Sequence, residues 1–317
     1  MHRKLIGIAG VALALGLAGT AHAQFGNLGR ALGEVTRAVP MPDFLSGPQP
    51  VSTSIRDAEW ADPSRDGFRP GQAEPLDGLP QNEDGAFVLA AGYYAMQAQS
   101  YCLHAGTHGP GGGDGYLYAP VKGSARDAVI AILQNVNDHP EIAQRDVQLL
   151  LWAIVARAKF EDLDNRLKLV ASQLLTPRQL ATLNRNALSM LTSGELSRIT
   201  GPLPAPLRAV VEAESRLRGM LTSGGSSFAE MERVAVLAGM APTGPGSIGV
   251  PAARWSEHPD GYWVRYTPSG YSNTKVEIYV EPGSAAVGKV YDPATAIAVP
   301  GNTARQRLAQ SARVYGR

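Results

Sequence analysis

The sequence predicts a mostly α-helical (α+β) protein that ends in a short β-hairpin. Helix-start signals recur between residues 85 and 240, and apolar residues there follow helical spacing. Strand-like alternation is confined to the C-terminal part. The chain has 44% hydrophobic residues, enough for a sizeable core, while its 35 Gly and 23 Pro indicate long loops. We therefore expect a helical domain flanked by irregular segments.

The first 23 residues have the pattern of a secretory signal peptide. Arg3 and Lys4 form a basic start, residues 5 to 17 are apolar, and residues 21 to 23 (Ala-His-Ala) form a small-residue cleavage site. The apolar stretch is short for a span of about 20 residues. We expect an exported protein, periplasmic or extracellular, with no membrane span once the signal is removed.

The next segments read as a leader and the start of the helical domain. Residues 24 to 84 are dense in Pro, Gly and short polar residues, which predicts an extended, poorly packed leader. Residues 86 to 96 contain few breakers and predict a buried helix that ends near Tyr101. A Gly-rich loop follows at residues 106 to 115. The predicted helical domain spans residues 85 to 240.

Capping signatures predict further helices in that domain. Residues 138 to 141 (Asp-His-Pro-Glu) predict the start of a helix that runs through Trp152. Residues 176 to 179 (Thr-Pro-Arg-Gln) and 227 to 230 (Ser-Phe-Ala-Glu) repeat the signature, and the last helix should stop at Gly239. Between them, apolar side chains from residue 206 to 221 recur at helical spacing.

The C-terminal region, residues 241 to 317, is predicted to be a linker followed by a β-hairpin. Residues 262 to 267 and 275 to 280 alternate in the strand manner about a turn that contains Ser269 and Gly270. The sequence leaves open whether this hairpin completes the core of the helical domain or forms a small β module of its own.

The charge balance gives no indication that the protein binds a polyanion. Lys and Arg number 29 against 28 Asp and Glu, so the formal net charge is +1. Nucleic-acid binding as the main function would require a basic surface. We therefore predict no nucleic-acid partner.

Cys102 is the most informative residue, because it is the only cysteine in the chain. An exported protein usually pairs its cysteines or lacks them. A single cysteine therefore indicates an intermolecular disulfide, a reactive thiol or a buried residue that only packs in the core. The predicted position of Cys102, between a helix and a Gly-rich loop, is one where functional residues are common.

Two short motifs resemble those of bacterial surface thioester domains, which are adhesin modules. Tyr101-Cys102-Leu103, followed by Pro110, is similar to the cysteine motif of that family. Val147 and Gln148, with Trp152 four positions after the Gln, are similar to its hydrophobic-Gln-x3-Trp motif. The resemblance covers residues 101 to 154. Members of that family are mostly wall-anchored and rich in β-structure, and in both respects this sequence departs from them.

The resemblance implies an internal thioester between Cys102 and Gln148, formed when the thiol attacks the side-chain amide and expels ammonia. A lysine amine or another nucleophile, on a protein or glycan target at the cell surface or envelope, would then attack the Gln148 acyl carbon. Such a protein acts once and is a covalent binder rather than a turnover enzyme. Its site would be shaped by Tyr101, Gly106, Pro110 and Trp152.

The histidines support a second hypothesis. Cys102 with His104, His108 or His139 would form the nucleophile pair of a hydrolase or acyltransferase of the cell envelope. Within the thioester hypothesis, a histidine near Cys102 would instead act as a general base. A third hypothesis is an inert structural envelope protein. In it Cys102 is a buried, unreactive residue, and Gln148 is a core residue whose side-chain amide is fully hydrogen-bonded.

Metal and cofactor binding have weaker support in the sequence. His104, His108 and Asp114 have a spacing that permits metal binding but is not specific for it. The loop at residues 109 to 115 lacks the Gly-Lys-Ser/Thr end of a phosphate-binding loop. We therefore predict no metal and no cofactor.

Overall fold

The computed structural model describes residues 49–58, 60–111, 113–192 and 205–316. The predicted signal peptide and the leader up to residue 48 lie outside these ranges. The strands are β1 (Glu74–Pro75), β2 (Phe87–Val88), β3 (Gly92–Cys102), β4 (Thr107–His108), β5 (Tyr116–Pro120), β6 (Val236–Leu237), β7 (Ser256–Glu257), β8 (Trp263–Pro268), β9 (Asn273–Val280), β10 (Val290–Tyr291), β11 (Ala296–Pro300) and β12 (Leu308–Val314).

Six of these strands close into an antiparallel barrel. Their order is β3-β12-β11-β5-β8-β9, and β9 returns to pair with β3. The described structure has 34% helix and 24% strand, and its centre is the barrel. The prediction of a mostly α-helical fold is therefore wrong.

The helix predicted from residue 86 to near Tyr101 is the clearest error, because the segment from Gly92 onward belongs to strand β3. Tyr94, Met96 and Ala98 alternate with more exposed residues and lie in one buried cluster, whereas Tyr101 lies in a second cluster. Residues near the end of β3 are thus buried on both faces. The buried run from Ala98 to Cys102 does not show strand alternation, and the Ala, Met and Gln residues of this segment have high helix propensity, so local signals favoured a helix.

The described ranges contain six helices, whose bounds are α1 (Arg126–Asn135), α2 (Gln144–Val155), α3 (Asn165–Leu174), α4 (Pro177–Thr192), α5 (Ala205–Ser223) and α6 (Phe228–Ala235). Apolar side chains of α1, α2 and α3 share a buried cluster with Ile297 and Ala309 of the sheet. These helices therefore cover part of the outer face of the barrel. No helix within the described ranges is both long and apolar enough to cross a membrane.

The capping signatures differ in outcome. The helix start predicted at residues 138 to 141 is wrong, since α2 begins only at Gln144. The Ser227 signature forms a capping box with Glu230 at the start of α6. Helix α6 ends at Ala235 rather than at Gly239, because the chain turns into strand β6 and pairs with β4.

The predicted C-terminal hairpin exists, but it is not a separate module. Strands β8 and β9 pair antiparallel and both belong to the barrel, together with β11 and β12, which the sequence analysis did not predict. Part of the predicted leader is also packed. Leu76 is fully buried, and β1 pairs in parallel with β3.

A buried ion pair joins β8 to β9 on the barrel wall. Arg265 donates two hydrogen bonds of 2.8 Å to the Glu277 carboxylate, and both side chains are almost fully buried. Burial alone would raise the pKa of Glu277, but hydrogen bonds from Arg265, Lys275 and Tyr93 outweigh it and lower this pKa to about 2. The barrel therefore holds Glu277 ionised.

We predict that Glu277→Gln lowers the unfolding free energy at neutral pH by about 3 kcal/mol, because it leaves the buried Arg265 without its charge partner. The matched control is Glu281→Gln, which breaks the partly exposed pair with Arg65 and should cost less than about 1 kcal/mol. Urea unfolding measures both. Equal losses in the two variants would contradict the assignment.

The same pair predicts a pH dependence. Since folding depresses the pKa of Glu277 from 4.5 to about 2, its contribution is full above pH 4.5 and is lost as pH falls toward about 2. The stability gap between wild type and Glu277→Gln should therefore narrow over that acid range. A gap that stays constant through it would show that ionisation of Glu277 is not involved.

Candidate functional site

The side-chain amide of Gln148 is hydrogen-bonded to the backbone of Cys102. The Cys102 N–H donates to Gln148 Oε1 at 2.8 Å, and Gln148 Nε2 donates to the Cys102 carbonyl oxygen at 3.0 Å. The two residues are 46 positions apart in the sequence. The structure thus brings together the cysteine and the glutamine of the two sequence motifs.

The end of β3 explains why a glutamine lies there. Pairing of β3 with β9 stops at Gln99 opposite Asn273, whereas pairing with β12 continues to Cys102 opposite Leu308. The N–H and C=O of Cys102 therefore point to the side that β9 has left. Gln148 of α2 occupies this side and provides one acceptor and one donor, as a neighbouring strand would.

A second glutamine of α2 has a similar role one turn earlier. Gln144 Nε2 donates to the carbonyl oxygens of Ser100, at 3.1 Å, and Ser272, at 2.7 Å. Residues at i and i+4 lie on one helix face, so Gln144 and Gln148 are both directed at the end of β3. Gln144 is therefore a natural comparison for Gln148, without a cysteine next to it.

The Cys102 thiol lies in an apolar environment. Cys102 is fully buried and Gln148 is 2% exposed. Burial raises the pKa of the Cys102 thiol well above its usual value, and the negative charge of Glu232 raises this pKa further. The residue is therefore a neutral thiol at neutral pH.

Aromatic residues enclose the site. Trp152, four positions after Gln148, is fully buried and stacks on Phe228 of α6 with a centroid distance of 5.7 Å. The Trp152 indole N–H and the Tyr116 hydroxyl are buried and have no hydrogen-bond partner among the described residues. Tyr116 lies close enough to Cys102 for a thiolate there to raise its pKa. Two polar groups are thus unengaged around the site.

Glu232 and Tyr271, neither of them a site residue predicted from the sequence, interact electrostatically with the Cys102 thiol. The Tyr271 hydroxyl donates to the Glu232 carboxylate. Tyr271 belongs to the turn between β8 and β9, and its carbonyl oxygen accepts a hydrogen bond of 2.9 Å from Ser100 Oγ. No motif marks these residues, because they approach Cys102 only through the closure of the barrel.

The candidate histidines are placed differently from one another. The buried Arg307 guanidinium donates to the ring of His104, and burial together with this charge lowers the pKa of His104 well below its usual value. His108 Nδ1 is buried without a partner among the described residues, and the partly exposed His139 pairs with Glu141 at 2.9 Å. Within the described ranges, no hydrogen bond joins Cys102 to a histidine.

The predicted site-shaping residues also lie in different places. The Tyr101 hydroxyl donates to Gln99, and its ring packs in the cluster that does not contain Cys102. Gly106 has a φ of +69°, and a Cβ there would lie 2.6 Å from the Ala209 carbonyl oxygen of α5. A larger residue at position 106 would therefore clash with the backbone of α5. Pro110 lines a surface cavity.

The residues considered for metal binding do not converge. Asp114 accepts a hydrogen bond from Arg305, while His104 is engaged by Arg307. Among the residues that the structure describes, no group of three or more His, Cys, Asp or Glu side chains is arranged to hold a metal ion.

Comparisons with known proteins did not identify a protein similar to this chain. A scan against protein-family models, a search of curated proteins and a search of solved structures each returned no match.

The geometry predicts that the Gln148 side chain contributes more to the unfolding free energy than the Gln144 side chain does. In a Cys102→Ala background, Gln148→Ala should lower the unfolding free energy by about 2–4 kcal/mol, because a buried N–H and C=O each lose their partner. Gln144→Ala in the same background should cost about 1 kcal/mol, since it leaves only carbonyl oxygens unpaired and in a less buried position. Urea unfolding compares the two, and an equal or smaller loss for Gln148 would contradict the arrangement.

Proposed function

We propose that this is an exported protein in which Cys102 and Gln148 form an internal thioester for the covalent capture of an amine-bearing target. The observation that carries the proposal is the pair of hydrogen bonds, 2.8 and 3.0 Å, that hold the Gln148 amide against the residue that bears the thiol. Reactants held in a fixed orientation react far faster than free ones. Both residues are buried, so bulk water is kept from the product.

The backbone of Cys102 is suited to activate the amide. Its N–H donates to Gln148 Oε1 at 2.8 Å, which is the geometry of an oxyanion-hole donor. The side chain of a strand residue stands roughly perpendicular to the plane of the backbone hydrogen bonds. The proposal requires the Cys102 thiol to reach the amide carbon from its face, the direction of nucleophilic attack, and this is the side to which a strand side chain projects.

Thioester formation balances without an external reagent. The Cys102 sulfur bonds to the Gln148 carbonyl carbon, and the C–N bond of the amide breaks. The thiol proton passes to the departing NH₂ group, which leaves as ammonia. A target amine then attacks the same carbon, the C–S bond breaks, and an amide joins the two molecules while Cys102 returns to a thiol. The protein therefore acts once.

The fold is compatible with the resemblance noted in the sequence. The expected excess of helix set this chain apart from the β-rich surface thioester domains, and the β-barrel makes that difference smaller. Export and a target at the cell surface or envelope remain part of the proposal, on the strength of the N-terminal sequence pattern.

One structural observation favours a competing explanation. Both hydrogen bonds of Gln148 satisfy backbone groups that β9 leaves unpaired, so Gln148 would also be useful in an inert protein. A Cys-His hydrolase has less support, because Arg307 engages His104 and the pKa of the Cys102 thiol is raised rather than lowered. The mass of the protein distinguishes these alternatives.

We predict that the purified mature protein is lighter than its sequence mass by one ammonia and gains one methylamine on incubation with that amine. Cys102→Ala and Gln148→Ala should show neither change, because each removes one half of the bond. Intact-mass spectrometry measures both effects.

Gln144→Ala is the matched control, since it removes a neighbouring amide from the same helix face and leaves the reacting pair intact. It should retain the ammonia loss and the methylamine adduct. A wild-type mass equal to the sequence mass, with Cys102 titrating as a free thiol after unfolding, would reject the thioester in favour of the inert or hydrolytic alternatives.

A further inference from the structure

A surface cavity borders the Cys102 site. It has a volume of about 540 Å³, and its lining includes Gly109, Pro110, Glu232, Met240 and Tyr271. Met240 is 93% exposed, so the cavity opens to solvent. The cavity lining also includes Val236, and both Val236 and Tyr271 pack against the buried cluster that contains Cys102.

Glu232 and Tyr271 link the cavity to the surroundings of Cys102. Both line the cavity, and each interacts electrostatically with Cys102. The turn that carries Tyr271 is tied to β3 by the hydrogen bond from Ser100, two residues before Cys102. Helix α6, which carries Glu232, is tied to α2 by the stacking of Phe228 on Trp152. Their position is thus fixed by the elements that form the site.

The charged side chains that line the cavity differ in their hydrogen-bond partners. Arg305 is occupied by Asp114 and by the carbonyl oxygen of Gly109, and Arg233 is exposed. The Glu232 carboxylate accepts a hydrogen bond from the neutral Tyr271 hydroxyl and lines the cavity. An approaching amine therefore meets a carboxylate whose orientation is set by a hydrogen bond.

We propose that this cavity is the entrance for the target amine and that Glu232, oriented by Tyr271, accepts the proton that the amine loses as it bonds to the Gln148 acyl carbon. This inference rests on the proposed thioester. The amine nitrogen bonds to the carbon, and the C–S bond breaks with its electron pair on sulfur. The nitrogen gives one proton to the Glu232 carboxylate, which returns it to sulfur and restores the Cys102 thiol.

Two nucleophiles, one that benefits from a nearby carboxylate and one that is repelled by it, test the role of Glu232. Methylamine must lose a proton, whereas a thiol that carries a sulfonate attacks as an anion and needs no proton acceptor. Glu232→Gln should slow the methylamine reaction by about 100-fold, the lower end of what a positioned proton acceptor contributes. It should speed the reaction of the sulfonate thiol, because a repelling charge is gone. Intact-mass time courses on the full chain measure both rates.

Two further variants make the test specific. Arg233→Gln removes the opposite charge from the same cavity and should not slow methylamine. Tyr271→Phe keeps the carboxylate and should still discriminate against the sulfonate thiol. A change of both rates in the same direction in Glu232→Gln, or no change, would overturn the inference, since either result indicates an effect on packing or none.

The failure of this inference is distinguishable from failure of the thioester itself. A wild type without ammonia loss removes both proposals at once. A wild type with ammonia loss, together with a Glu232→Gln variant that no longer loses ammonia, retains the thioester. It overturns the inference, because it assigns Glu232 to bond formation rather than to the amine step.

Discussion

The arrangement of the site depends on the point at which β9 separates from β3. Past Gln99, one side of β3 has no strand partner, although its residues are buried. Buried N–H and C=O groups must be hydrogen-bonded, so another element has to supply donors and acceptors. Helix α2 does this with Gln144 and Gln148. The backbone requirement thus places an amide directly beside the only cysteine.

The fold that holds the candidate site was predicted wrongly, whereas the reaction between Cys102 and Gln148 stays a prediction. The lone Cys102 and the spacing of Gln148 and Trp152 are local signals, and the structure places Cys102 and Gln148 in contact. The barrel was missed because β3 is buried on both faces toward its end and reads like a buried helix. Strand β12 was missed as well, since its pairing with β3 joins residues about two hundred positions apart and has no short-range signature.

Glu232 and Tyr271 could not have been predicted from local patterns for a related reason. One lies on α6 and the other in the β8–β9 turn, and they meet only because β9 pairs with β3 and α6 packs on α2. His104 shows the opposite case. Its position two residues from Cys102 suggested a catalytic base, yet Arg307 engages its ring and lowers its pKa. Proximity in sequence therefore does not pair His104 with the thiol, because tertiary packing provides Arg307 as its partner.

The environment of Cys102 sets conflicting requirements for an acyl bond. The burial that keeps water from an acylated thiol also raises the pKa of that thiol, so its release as an anion is unfavourable. The sulfur must therefore receive a proton as the bond breaks. A proton carrier inside the apolar cluster would itself be costly to ionise, whereas one in open solvent would be too far away. Glu232 is partly exposed in the cavity and electrostatically coupled to the sulfur, which is why the proposed amine step assigns the proton transfer to it.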